Sequence, residues 1–149
     1  EVAALLERHG LGPGALSLEL TESSMMSEPD RVASVLERLG AHGIELAIDD
    51  FGTGYSSLSY LRELPVHVLK IDRAFVKDLE SGGSEAIVRA TIELAHALGL
   101  QVVAEGVETV GVRDRLQALG CDVAQGYLIG RPLPAAELEL PVGPHAVAA

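Results

Sequence analysis

Apolar positions along the chain fall into two alternating rhythms. Short runs with a period of two, "LSLEL" near residue 16, "IELAID" near 44, "HVLKI" near 67, "QVVAE" near 101 and "DVAQGYL" near 122, predict β-strands. Between them the period lengthens to that of amphipathic helices in "PDRVASVLERLGAHG", a shorter "SSLSYLREL", "SEAIVRATIELAHALG" and "TVGVRDRLQALG". A further amphipathic helix opens the chain and closes at Gly10, and the others stop at Gly40 or Gly43, Pro65, Gly99 and Gly120. Strand followed by helix, repeated, predicts an α/β fold with a parallel sheet and right-handed crossovers. Two architectures satisfy that pattern, a doubly wound open sheet and part of a (β/α)8 barrel. A whole barrel takes about 250 residues, so a barrel reading gives about five parallel strands with flanking helices and lacks the N-terminal third. The first residues, "EVAALLERHG", start inside a helical pattern without a methionine, as a piece of a longer chain would.

Composition narrows this. Of 149 residues, 48% are hydrophobic and 3% aromatic, which suits one globular domain with an aliphatic core. No apolar run reaches the roughly 20 residues that span a bilayer, and no basic segment leads into a hydrophobic one, so membrane insertion is not expected and the cytoplasm is the default location. The net charge of −11 argues against DNA or RNA polymers as partners, and a phosphate ligand would need cations. The lone Cys121 reads as a small buried residue.

Both architectures place ligands at the carboxyl ends of the strands. Each predicted strand ends there in a group able to do chemistry: Glu19 and Glu22 in "LELTES", Asp49 and Asp50 in "IDDFG", Lys70 and Asp72 in "LKIDR", Glu105 and Glu108 in "AEGVET", and Gln125 in "AQGY". Singly, each has a plainer reading. Asp72 caps the helix of "RAFVKDL", Glu108 sits beside the Thr109 cap of the next helix, Lys70 is an ion-pair partner, Glu22 ties down a loop, and Gly52 and Gly54 are turn residues. Jointly, several carboxylates facing one mouth repel unless cations neutralise them. Oxygen donors suit Mg2+ or Mn2+, and none of the five histidines has a paired ligand that would suggest zinc. Two such ions form the clamp used in phosphodiester hydrolysis, and a lysine nearby lowers the pKa of a water or holds it in line.

"LELTES", "IDDFGTGYSSLSYL", "LKIDRAFV", "VVAEGVET" and "AQGYLIGRPLP", in this order and spacing, closely resemble the EAL-domain cyclic-di-GMP phosphodiesterases of bacteria, from about Leu5 to Pro134. The resemblance implies a partial TIM-like barrel over residues 1–140 with a flexible tail at 141–149. It implies hydrolysis of cyclic di-GMP to linear pGpG, in second-messenger signalling, with two Mg2+ or Mn2+ ions. Carried over position by position, Glu19, Asp49, Asp50 and Glu105 are metal ligands, and Glu105 is also a candidate base. Lys70 positions the nucleophilic water, and Gln125 contacts the metal site or the substrate. Phe51, Gly52, Thr53 and Gly54 begin a flexible loop, running to Ser57, that links the metal site to a dimer interface. Glu22 anchors this loop, Glu108 supports the site, and Asp72 is a secondary candidate. The family's Glu-Ala-Leu motif and an asparagine ligand would lie upstream of Glu1. Five strands of a barrel leave two open edges, which a homodimer would cover. Against the enzyme stand two alternatives: a catalytically inactive EAL-type module that binds cyclic di-GMP or a protein, and an unrelated doubly wound nucleotide-binding protein, which lacks a glycine-rich phosphate turn after its first strand.

Overall fold

The structure, a computed structural model, describes residues 2–52 and 58–138. Thr53 and Gly54, the rest of the loop to Ser57, and the tail 141–149 lie outside the described residues. Five strands, β1 (Ser17–Thr21), β2 (Glu45–Phe51), β3 (Val68–Ile71), β4 (Gln101–Glu105) and β5 (Val123–Gln125), form one sheet in the order β1-β2-β3-β4-β5. Every neighbouring pair is parallel. The helices are α1 (Val2–Arg8), α2 (Glu22–Ser27), α3 (Pro29–Gly40), α4 (Leu58–Leu61), α5 (Arg73–Asp78), α6 (Glu85–Ala97) and α7 (Val110–Ala118). Among the described residues, β1 pairs only with β2 and β5 only with β4. No described helix is long and apolar enough to cross a membrane.

Strand alternation divides the sheet into two chemistries. Leu46 and Ile48, Leu69 and Ile71, and Val102 and Ala104 point to the helices and share one buried core with Leu36 of α3, Val76 of α5, Val88, Ile92 and Ala95 of α6, and Val112 and Leu116 of α7. The intervening positions, Glu19, Lys70 and Glu105, carry charge to the opposite face. Apolar burial of this kind contributes about 25 cal/mol per Å2, so the helix-facing side holds the fold and leaves the other available for chemistry.

Two elements differ from the pattern read in the sequence. The short helix α2 was not expected: six residues carry too little periodicity to reveal a helix, yet Thr21 caps it, accepting from Ser24 N at 3.4 Å, and its own Met25 is fully buried. The last strand is shorter than "DVAQGYL", because Gly126 lies directly on the backbone of Val107. A Cβ at Gly126 would stand 2.2 Å from Val107 O and 2.3 Å from Val107 N. Ladder pairing ends at Gln125, and the chain turns there through Leu128 N to Val107 O, 3.0 Å, and Ile129 N to Gly126 O, 3.0 Å.

Candidate metal and phosphate site

Two adjacent strand residues normally face opposite sides of a sheet. Asp49 and Asp50 escape this because β2 is bulged. Ile48 pairs with Leu69 and Phe51 with Ile71, so both aspartates stand opposite Lys70 alone. Asp50 makes the bulge with φ 55, the one non-glycine residue among those described with positive φ. For L-residues other than glycine this left-handed conformation is tolerated best by Asn and Asp. The bulge brings carboxylate oxygens of Asp49, Asp50 and Glu105 within 4.8 Å of one another.

Lys70 sits beneath them with its side chain only 6% exposed. Its Nζ is 2.6 Å from Glu19 Oε2, 2.6 Å from Glu105 Oε1 and 3.3 Å from Asp49 Oδ1. Burial alone would lower the pKa of this ammonium, but hydrogen bonds to Glu105 and Glu19 and the charges of Glu105 and Asp49 override it and hold the pKa above its usual value. Lys70 is thus a fixed cation and hydrogen-bond donor near neutral pH. Asp50 is displaced upward as well, by burial first, then by a hydrogen bond with Asp72 and the negative charges of Asp49, Asp72 and Glu105.

The other residues singled out in the sequence surround this cluster. Glu22, the first residue of α2 and 1% exposed, accepts from Gly52 N at 2.9 Å and so ties α2 to the residue after Phe51. Gly52 has φ 96, and a Cβ there would meet Phe75 of α5 at 3.0 Å. Phe51 is buried in the core. Asp72 caps α5, accepting from Ala74 N at 2.8 Å, while its carboxyl also meets Asp50. Gln125 is paired in register with Glu105. Glu108 stands apart from the cluster on the surface, 3.0 Å from Lys77 Nζ, just before the Thr109 cap of α7.

The donor set fits a hard divalent cation. It consists of carboxylates, and Asp49 Oδ1 is buried and, beyond its ion pair with Lys70 at 3.3 Å, accepts no hydrogen bond among the described residues. The cluster opens beside a cleft of about 200 Å3 lined by Glu105, Glu108, Gln125 and Tyr127 together with Arg73. Arg73 and Tyr127 carry no sign of this placement in the sequence. The strand-end glycines Gly106 and Gly126 were the available signal, since each allows a close backbone approach at the cleft wall.

A parallel α/β sheet carrying oxygen-donor acids and a buried lysine at its strand ends defines the class: a barrel-type domain with an acidic mouth. The EAL domain family model matches residues 1–132, and the chain belongs to that family. It is 50% identical over 134 residues to the bifunctional diguanylate cyclase/cyclic di-GMP phosphodiesterase MucR of Pseudomonas aeruginosa, covering 89% of this chain and 20% of that protein. The solved PaMucR phosphodiesterase, a c-di-GMP complex, superposes with a TM-score of 0.88 at 49% identity, covering 91% of this chain and 56% of that one. The manganese/cy-diGMP complex of Klebsiella pneumoniae BlrP1 gives a TM-score of 0.81 at 39% identity, covering 88% and 34%. The chain spans from 17% to 20% of the length of the first three curated relatives it matches.

Proposed function

We propose that this chain is the catalytic part of a metal-dependent phosphodiesterase that opens cyclic di-GMP to linear pGpG, a reading carried by the convergence of Asp49, Asp50 and Glu105 above Lys70. Asp49, Asp50, Glu105 and Glu19 would hold two Mg2+ or Mn2+ ions. When bound, such ions lower the pKa of a water and neutralise charge on the phosphate oxygens. Glu105 accepts the proton of the attacking water. Lys70, kept protonated by its carboxylate partners, orients that water by hydrogen bonding. A new P–O bond forms from water, the P–O bond to one ribose 3′ oxygen breaks, and that oxygen leaves with a proton as the 3′ hydroxyl of pGpG. Gln125 lies beside Glu105 to contact the substrate. The Glu22 to Gly52 bond and the Asp72 cap hold Asp50 in its unusual backbone conformation. A cytoplasmic homodimer is part of this reading.

Incubating the full-length protein with cyclic di-GMP and Mn2+ or Mg2+, and resolving the products by chromatography, tests it. Linear dinucleotide should accumulate and stop on addition of EDTA. Tight cyclic di-GMP binding with no turnover under either metal would instead identify a silent receptor and refute the enzyme.

A further inference from the structure

We propose that Arg73 is a substrate-binding residue that takes the phosphate of the cyclic dinucleotide remote from the metal cluster, an inference that rests on the phosphodiesterase reading above. An exposed arginine is ordinarily a solubilising charge, but the placement of Arg73 is specific. It follows Asp72, whose carboxyl meets Asp50, and it lines the cleft that opens beside Glu105 and Gln125. Gly106, φ 70, presses against it so closely that a Cβ there would lie 2.6 Å from Arg73 Cβ. The base of the Arg73 side chain is therefore seated against the turn that follows Glu105.

Its charge is also uncommitted. The acids lining the same cleft have partners already: Glu105 is 2.6 Å from Lys70 Nζ, and Glu108 is 3.0 Å from Lys77 Nζ. The Arg73 side chain makes no ion pair and no hydrogen bond among the described residues, and it is the one cation among the described residues lining the cleft. A cyclic dinucleotide carries two phosphates. Cations held by Asp49, Asp50 and Glu105 would neutralise the one being cleaved, while the other enters a domain of net charge −11 and needs a cation of its own. A guanidinium beside the metal mouth meets that need with a charge-assisted, geometrically matched hydrogen bond.

The test is steady-state kinetics of the full-length protein and its Arg73→Gln and Arg73→Lys variants, on cyclic di-GMP and on bis(p-nitrophenyl) phosphate, a diester with one phosphate. Arg73→Gln should raise KM for cyclic di-GMP about 10- to 100-fold, the range of a lost charged hydrogen bond, with a much smaller fall in kcat. Arg73→Lys should recover part of the loss. The penalty on the one-phosphate diester should be at least about 10-fold smaller, and KM of Arg73→Gln for cyclic di-GMP should rise less steeply with salt than that of wild type. Equal penalties on both substrates, an unaltered KM for cyclic di-GMP, or an unaltered salt slope would each overturn the assignment while the wild type remains active. A wild type that neither binds nor cleaves cyclic di-GMP would overturn this inference together with the function it rests on. Thermal unfolding of Arg73→Gln should stay within about 2 °C of wild type, as for a surface change.

Discussion

Replacing Asp50 by asparagine should make the metal-free protein more stable while removing its response to metal. The substitution isolates charge. Asparagine has the same shape, tolerates φ 55, and offers an amide that can still hydrogen-bond Asp72. With ligand oxygens at up to 4.8 Å, each like-charge pair costs about 3.5 kcal/mol at an effective dielectric of ~20 and about 0.9 kcal/mol in water. Asp50 faces two such neighbours, Asp49 and Glu105, and all three are only half-buried. After solvent screening and relaxation, the relief should be about 1–3 kcal/mol, or roughly 2–10 °C in unfolding midpoint for a chain of this size.

Linkage sets the pH window. Asp50 has a pKa above its ordinary 3.8 in the folded state, so between 3.8 and the raised value the folded state binds more protons than the unfolded chain. Wild-type stability then falls as pH rises through that window, and the asparagine variant escapes this loss. Thermal melts in EDTA from about pH 4 to about pH 8 should show the two proteins diverging as pH rises, with the variant on top. Adding Mn2+ should raise the wild-type midpoint and leave the variant nearly unmoved, since binding stabilises only a fold that retains the site. A variant equal to or less stable than wild type in EDTA at neutral pH, or stabilised by Mn2+ as much as wild type, would refute the reasoning.

Lys70→Met should destabilise the metal-free fold by about 2–4 kcal/mol, less than for a fully buried pair because Glu19 is 47% exposed, and should abolish turnover; urea unfolding in EDTA measures the first. The raised pKa of Lys70 means its contribution is present in full below 10.5 and is lost only as pH rises through the higher folded value. Gly126→Ala should cost about 3 kcal/mol, because the new methyl meets backbone atoms of Val107 that cannot swing away; calorimetric unfolding would read it. Asp122→Ala should cost about 1–3 kcal/mol in urea unfolding by leaving buried Val102 N without the acceptor it has at 2.7 Å. Burial raises the Asp122 pKa, but His96 and Val102 N outweigh it and hold the value low, so its contribution is present above 3.8 and lost as pH falls through the lowered value.

The strands and the long helices were legible because their burial is periodic. In α6, Val88, Thr91, Ile92 and Ala95 recur at helical spacing and are the residues that meet the sheet. The strand-end position of the acids was legible too, since parallel α/β sheets put their chemistry there. What could not be read is how Asp49 and Asp50 come to share one face. Period two separates them, and only the pairing of β2 with β3, a non-local property, creates the bulge. Arg73 was invisible for a similar reason. Its role in lining the cleft depends on Gly106, which is remote in sequence and close in space.

The bulge also explains why the acids are tolerable. Three carboxylates, Glu19, Asp49 and Glu105, gather about one ammonium, and a fourth, Asp50, joins Asp49 and Glu105 in a backbone conformation that costs L-residues roughly 1–2 kcal/mol. Such an arrangement relaxes unless its surroundings hold it. The Glu22 to Gly52 bond fixes the chain just past the bulge, Phe75 packs against Gly52, and Asp72 meets Asp50 while capping the helix that carries Phe75. These three restraints converge on two residues, Asp50 and Gly52, and each comes from an element whose other face is buried in the core. Core packing therefore sustains unfavourable charge at the mouth. A cation that neutralises the cluster would remove the same repulsion that Asp50→Asn removes, so the gain of the variant in EDTA and its loss of metal response share one electrostatic origin.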